Sequence, residues 1–189
     1  MVMFAGPSAF ASDRTYAAAG WHSRIAAVLL CLLPSLAPAA EDAGTVLTIS
    51  QKGSVLGTFS LSGLEAAGAV AVSVEDDSGQ SSDYTGVPIA KLLESVGVAL
   101  GKSVRGERLA EFVMVRAADG YRVLFSLPET DPMFRERTLL LCYRKNGGPL
   151  PAKEGPLRVI VADEKRHARW VRQVTAIELG RVDEPSAAR

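Results

Sequence analysis

Short apolar runs separated by glycine-containing turns restrict the fold of this chain more than any other feature. Lys52-Gly53, Asp119-Gly120 and Asn146-Gly147 each interrupt residues of strand-forming type, and Asp-Gly is a strong hairpin signal. Strands are therefore predicted over 46–50, 55–59, 70–74, 111–116, 121–126, 138–143, 157–161 and 176–179. Many short strands with few helices predict an α+β or mostly-β domain.

Two short helices are predicted between the strands. Ser60 is a suitable cap for a helix that begins after it, and Pro88 fits the first turn of a helix that continues to Ser95. Polar residues predict a loop over 75–83. The basic stretch 165–174 is compatible with either a helix or a turn.

The N-terminal part has the order of an export signal. Two arginines and a histidine precede an apolar run over 25–36, and the small residues Ala37-Pro38-Ala39 follow it. The run is too short for a spanning helix, which needs about 20 residues. We therefore expect a signal peptide over 1–39, a single domain over 40–182, a polar tail over 183–189, and a periplasmic or secreted protein that leaves the membrane after cleavage.

Charge and cysteine content exclude several classes of function. The chain has 21 basic and 21 acidic residues, and residues 1–39 hold two arginines and one aspartate, which leaves 19 basic and 20 acidic side chains. This balance gives no case for nucleic acid as a partner, nor for an anionic membrane surface. Outside 1–39, Cys142 is the only cysteine and lies in an apolar strand, which favours a buried, inert thiol.

One basic cluster is a candidate site. The stretch 163–172 places arginines, a lysine and His167 around Trp170, while metal-binding motifs and a Gly-rich phosphate loop are missing. The cluster could be a solvated face with Trp170 in the core. Alternatively it could be an anion site, because arginine forks match phosphate or carboxylate, and Arg158 could add a third guanidinium.

Five segments in order resemble the molybdopterin-binding domain of the sulfite oxidase family. The resemblance covers roughly 45–179. Its motifs are Tyr84-Thr-Gly-Val-Pro followed by Leu92-Leu93, Asp119-Gly-Tyr121, Asn146-Gly-Gly-Pro-Leu-Pro151, Gly155-Pro-Leu-Arg158 and Arg166-His-Ala-Arg-Trp170.

The resemblance implies the mixed-sheet fold of sulfite oxidase and a molybdenum–pterin oxidoreductase ancestry. It implies that Arg166 and Arg169 hold the pterin and its phosphate, with His167 between them, and that Tyr121 has a structural role. It leaves two states open, one with molybdopterin bound and one with no cofactor.

The chain departs from the family at the metal. The family's ligating cysteine would lie within 74–83, and that stretch has none. An oxygen of Asp77 or Ser78 is a poor substitute for a thiolate, and Cys142 matches a later strand. Molybdenum is therefore not expected.

Three functions follow from this comparison. The sequence favours a non-catalytic module that binds a small anion, a pterin-like ligand or a periplasmic partner protein. The alternatives are a molybdenum–pterin oxidoreductase with altered ligation, and a structural subunit without a ligand. The export signal also has no adjacent arginine pair, which is the signal that the family's cofactor-loaded members typically use.

Overall fold

Two β-sheets carry most of the regular structure. The computed structural model describes residues 44–75, 79–136 and 139–182. All of them lie in the second of the two units into which the chain divides, 1–39 and 40–189. The strands are β1 (Leu47–Gln51), β2 (Ser54–Phe59), β3 (Val70–Glu75), β4 (Ser81–Pro88), β5 (Glu111–Ala117), β6 (Arg122–Ser126), β7 (Leu139–Lys145), β8 (Gly148–Pro149), β9 (Arg158–Val161) and β10 (Val174–Arg181).

Short helices connect these strands. The α-helices are α1 (Leu61–Ala66), α2 (Ile89–Ser95) and α3 (Leu127–Thr130), and single turns of 3-10 helix span Gly101–Ser103, Gly106–Ala110 and His167–Arg169. Ser60 caps α1, because its hydroxyl accepts a hydrogen bond from the Gly63 N–H at 3.2 Å.

The first sheet has the strand order β2-β1-β10-β5-β6. Strand β1 runs parallel to β10, with Thr48 opposite Ala176, and the other neighbours are antiparallel. Alternate residues point inward, as the two-residue period of a strand requires, so Leu47 and Ile49 are fully buried.

The second sheet is built around β7. Strand β4 pairs with β3 on one side and with β7 on the other, while β8 and β9 both pair with β7. Residues Leu139–Tyr143 are all buried, so both faces of β7 are covered here. Helix α2 contacts β4 and β7 and contributes the fully buried Ile89, Leu92 and Leu93.

Gly86 marks the closest approach between β4 and β7. The register shifts between Thr85 and Gly86, and a Cβ atom on Gly86 would lie 2.2 Å from the Leu141 carbonyl oxygen and 2.5 Å from the Cys142 Cα. Only a residue without a side chain fits here.

The predicted α+β class is confirmed, and each of the eight predicted strands overlaps a strand of the structure. The loop predicted over 75–83 was too long, since Glu75 ends β3 and Ser81 begins β4, while 79–80 lie outside strands and 76–78 lie outside the described residues. Polar side chains do not prevent pairing, because the backbone forms the ladder: Glu75 lies opposite Ser81 and Val74 opposite Ser82.

Other predicted segments are also placed by the structure. The stretch 165–174 is a turn rather than a long helix, with one 3-10 turn over His167–Arg169. The predicted signal peptide over 1–39 and tail over 183–189 lie outside the described residues. Within those residues, no helix has the length and apolar character needed to span a bilayer.

Candidate functional site

A cleft of about 960 Å³ opens where loops of both sheets meet. It is lined by the β5–β6 turn, by the middle of β4, by the end of β7, by the β8–β9 connection and the start of β9, and by the segment that leads into β10. Its side chains comprise cations, two carboxylates and aromatic rings: Lys145, Lys153, Arg158, Arg166, Arg172, Asp119, Glu154, Tyr84, Tyr121, His167 and Trp170, with Ala168 and Gln173.

Trp170 is the buried aromatic platform of the cleft. It is 4% exposed, and its indole Nε1 donates a hydrogen bond to the Val161 carbonyl oxygen at 3.0 Å. The His167 ring stacks on the indole with 3.7 Å between centroids, and Tyr84 meets it edge-on at 6.3 Å. One wall of the cleft is therefore rigid and aromatic.

Arg158 lies against this aromatic wall. Its guanidinium carbon is 5.4 Å from the Trp170 ring centroid and 5.6 Å from that of Tyr84, within cation–π range. Its Nη1 donates to the Tyr84 hydroxyl oxygen at 3.2 Å and to Glu154 Oε2 at 2.5 Å. Its Nε is buried, and none of the described residues accepts a hydrogen bond from it.

Glu154 and Lys145 complete this inner group. Lys145 Nζ is 3.8 Å from Glu154 Oε1 and 5.4 Å from the Tyr84 ring centroid. The side chains of Lys145, Glu154 and Arg158 are 22%, 19% and 13% exposed. Two partly buried cations thus share one carboxylate.

The outer part of the cleft carries the exposed cations Lys153, Arg166 and Arg172. Across 44–75, 79–136 and 139–182, no carboxylate forms an ion pair with any of the three. The lining therefore holds five cations against two carboxylates. In a concave surface, such a surplus concentrates anions.

The structure brings two of the three predicted site residues together. Arg166 and His167 line the cleft, whereas Arg169 lies outside its lining. The Arg169 guanidinium pairs with Glu164 and, at 3.0 Å, with Glu129 Oε1, and it lies 4.7 Å from the Phe125 ring centroid.

Glu129, the second ion-pair partner of Arg169, is itself held by hydrogen bonds. It accepts a hydrogen bond from the Ser126 N–H at 2.7 Å and another from the Ser126 hydroxyl at 3.1 Å. Burial alone would raise the pKa of Glu129, but the bonds from Ser126 and Arg169 outweigh it and hold the pKa below its usual range. This carboxylate therefore stays charged and keeps Arg169 in place.

Tyr121 holds the 3-10 turn from the opposite side. Its hydroxyl donates a hydrogen bond to the Ala168 carbonyl oxygen at 2.7 Å, and its ring lines the cleft. The Asp119 side chain accepts from the Tyr121 N–H at 2.9 Å, which fixes the hairpin turn. The loop that carries Arg166 and His167 is thus tied to both sheets.

Cys142 is fully buried on β7 and does not line the cleft. Burial raises the pKa of its thiol well above the usual value, and the nearby charge of Arg158 lowers it only in part. No group of three or more His, Cys, Asp or Glu side chains in the described part of the chain could hold a metal ion.

Sequence reasoning missed Lys145, Lys153 and Glu154 as cleft residues. They lie beside the quoted motifs, since Lys145 directly precedes Asn146 and Glu154 directly precedes Gly155. Charged residues next to a turn motif are the signal that could have identified them.

The comparison with known protein families agrees with the resemblance described for the sequence. The family model described as oxidoreductase molybdopterin binding domain matches residues 60–188. The matched region contains every residue that lines the cleft. No curated protein matches the chain.

Proposed function

Because the chain belongs to the oxidoreductase molybdopterin-binding domain family, we propose that it is a non-catalytic, exported module that binds a pterin-like anion in the cleft. The family binds molybdopterin, a pterin that carries a phosphate group. The cation surplus of the cleft is the observation that carries the proposal.

The organic part of such a ligand fits the lining. The outer cations supply hydrogen-bond donors for a phosphate, and the rigid aromatic wall suits a planar ring. The buried Nε of Arg158 adds a donor for which the described residues offer no acceptor.

The metal part does not fit. A molybdenum thiolate ligand would need an accessible, ionisable cysteine, and Cys142 is buried outside the cleft with a raised pKa. The stretch 74–83 has no cysteine at all. These observations support a binding role rather than an oxidoreductase activity. The predicted signal peptide without an arginine pair is consistent with export in an unfolded, unloaded state.

The three predicted residues take different roles in this proposal. Arg166 contacts the anion, and His167 presents its stacked ring to the planar part. Arg169 is a positioning residue, since its ion pairs with Glu129 and Glu164 hold the turn that carries the other two.

The first test is a calorimetric titration of the protein with inorganic phosphate. Arg166→Ala should weaken binding at least about tenfold, because a hydrogen bond to a charged group contributes about 1.5–3 kcal/mol. Arg105→Ala is the matched control, since Arg105 is exposed and does not line the cleft. Equal affinity of the Arg166→Ala variant and the wild type would overturn the proposal.

The second test measures molybdenum and pterin in protein purified from its native compartment. We expect molybdenum far below one atom per chain, because Cys142, the one cysteine among the described residues, is buried outside the cleft. A ratio near one would refute the non-catalytic role and support an oxidoreductase with altered ligation.

A further inference from the structure

Glu154 places a negative charge inside a cleft that otherwise attracts anions. Its carboxylate bonds Arg158 at 2.5 Å and lies 3.8 Å from Lys145, so it sits between the two inner cations. Asp119, the other carboxylate of the lining, is exposed and is turned to the Tyr121 N–H instead.

The backbone fixes Glu154 in this position. Its N–H donates to the Pro151 carbonyl oxygen at 2.7 Å, and its own carbonyl oxygen accepts from the Gln173 N–H at 2.9 Å. The side chain is also mostly shielded from water, so its carboxylate has little solvent to turn to in place of Arg158 and Lys145. Glu154 is therefore a fixed part of the cleft wall and not a mobile surface charge.

The two groups of cations consequently differ. Lys145 and Arg158 already share a counter-anion, whereas Lys153, Arg166 and Arg172 have no carboxylate partner in the described ranges. An anionic group placed beside Arg158 would also lie close to Glu154, and like charges repel strongly where water is partly excluded.

We propose that Glu154 is a resident counter-anion that determines the charge pattern of the ligand. It directs the anionic end of the ligand to Lys153, Arg166 and Arg172 and leaves the inner end for a neutral, planar part beside Trp170. The cleft thus selects molecules with one anionic end over those charged at both ends. This inference rests on the proposed function, since it concerns the same cleft.

The test replaces the carboxylate by its neutral isostere. Glu154→Gln should bind inorganic phosphate about tenfold more tightly than the wild type, and inorganic pyrophosphate should gain more because it carries more charge. Glu111→Gln is the matched control: Glu111 also pairs with an arginine, is also 19% exposed, and does not line the cleft.

A second substitution guards against indirect effects. Arg158→Gln in the Glu154→Gln background should abolish the gain, because the gain comes from the guanidinium that loses its partner when the carboxylate is removed. Thermal unfolding of each variant confirms that it is folded before titration.

The outcomes separate this inference from the proposed function. If the wild type binds phosphate and Arg166→Ala weakens it, but Glu154→Gln equals or falls below the wild type, the counter-anion role is refuted and the proposed function stands. If neither the wild type nor Glu154→Gln binds phosphate or pyrophosphate, both fall.

Discussion

At the scale of single residues, Trp170 explains how one segment can serve the core and a polar cleft together. Its indole is buried and bonded to Val161, while its ring faces carry His167 and Arg158. The two interpretations that the sequence left open, a core tryptophan and a basic anion site, describe two sides of this residue. The sequence could not reveal this, because which ring face is covered depends on β9.

Cys142 yields a prediction at the same scale. Iodoacetamide should alkylate it in the native protein at pH 8 at least about 100-fold more slowly than in urea, because burial raises the pKa of the thiol and blocks access. Peptide mass spectrometry measures the rate at this residue. A short cysteine peptide in the same buffer is the control, and a native rate that matched it would contradict an inert thiol.

At the scale of elements, the polar hairpin of β3 and β4 shows the limit of hydrophobic patterning. Asn146 holds both backbone polar groups of Asp83. The Asp83 N–H donates to the Asn146 side-chain oxygen, and the Asp83 carbonyl oxygen accepts from the Asn146 N–H. Asn146 belongs to the turn after β7, far along the chain. Local sequence at 81–83 could not predict a strand whose support comes from a distant turn.

Gly86 gives the prediction for these elements. Gly86→Ala should lower the free energy of unfolding by about 3 kcal/mol or more, because its Cβ would overlap the backbone of β7 at Leu141 and Cys142. Urea unfolding measures the change. Gly148→Ala, whose Cβ would approach nothing closer than 3.8 Å, should shift it by less than about 1 kcal/mol. Equal effects would show that β4 and β7 can separate without cost.

At the scale of the whole molecule, the net charge gave no indication of the cationic cleft. Outside 1–39 the chain is close to neutral, yet the cleft collects five cations from separate segments. The resemblance to the family correctly indicated the fold, because its turn motifs are short contiguous segments that can be read directly from the sequence. Lys145, Lys153 and Arg158 could not be assembled from spacing alone, because their meeting depends on how β7, β8 and β9 pair.

The parallel pairing of β1 with β10 has a consequence for the order of folding. Of the described strands, β1 and β2 are synthesised first, but the neighbour that completes their sheet is the last described strand. Loop closure across the intervening chain must precede this contact, and such non-local pairing is slow. The first sheet therefore cannot close before β10 is available, and one edge of β1 stays without its strand partner until then.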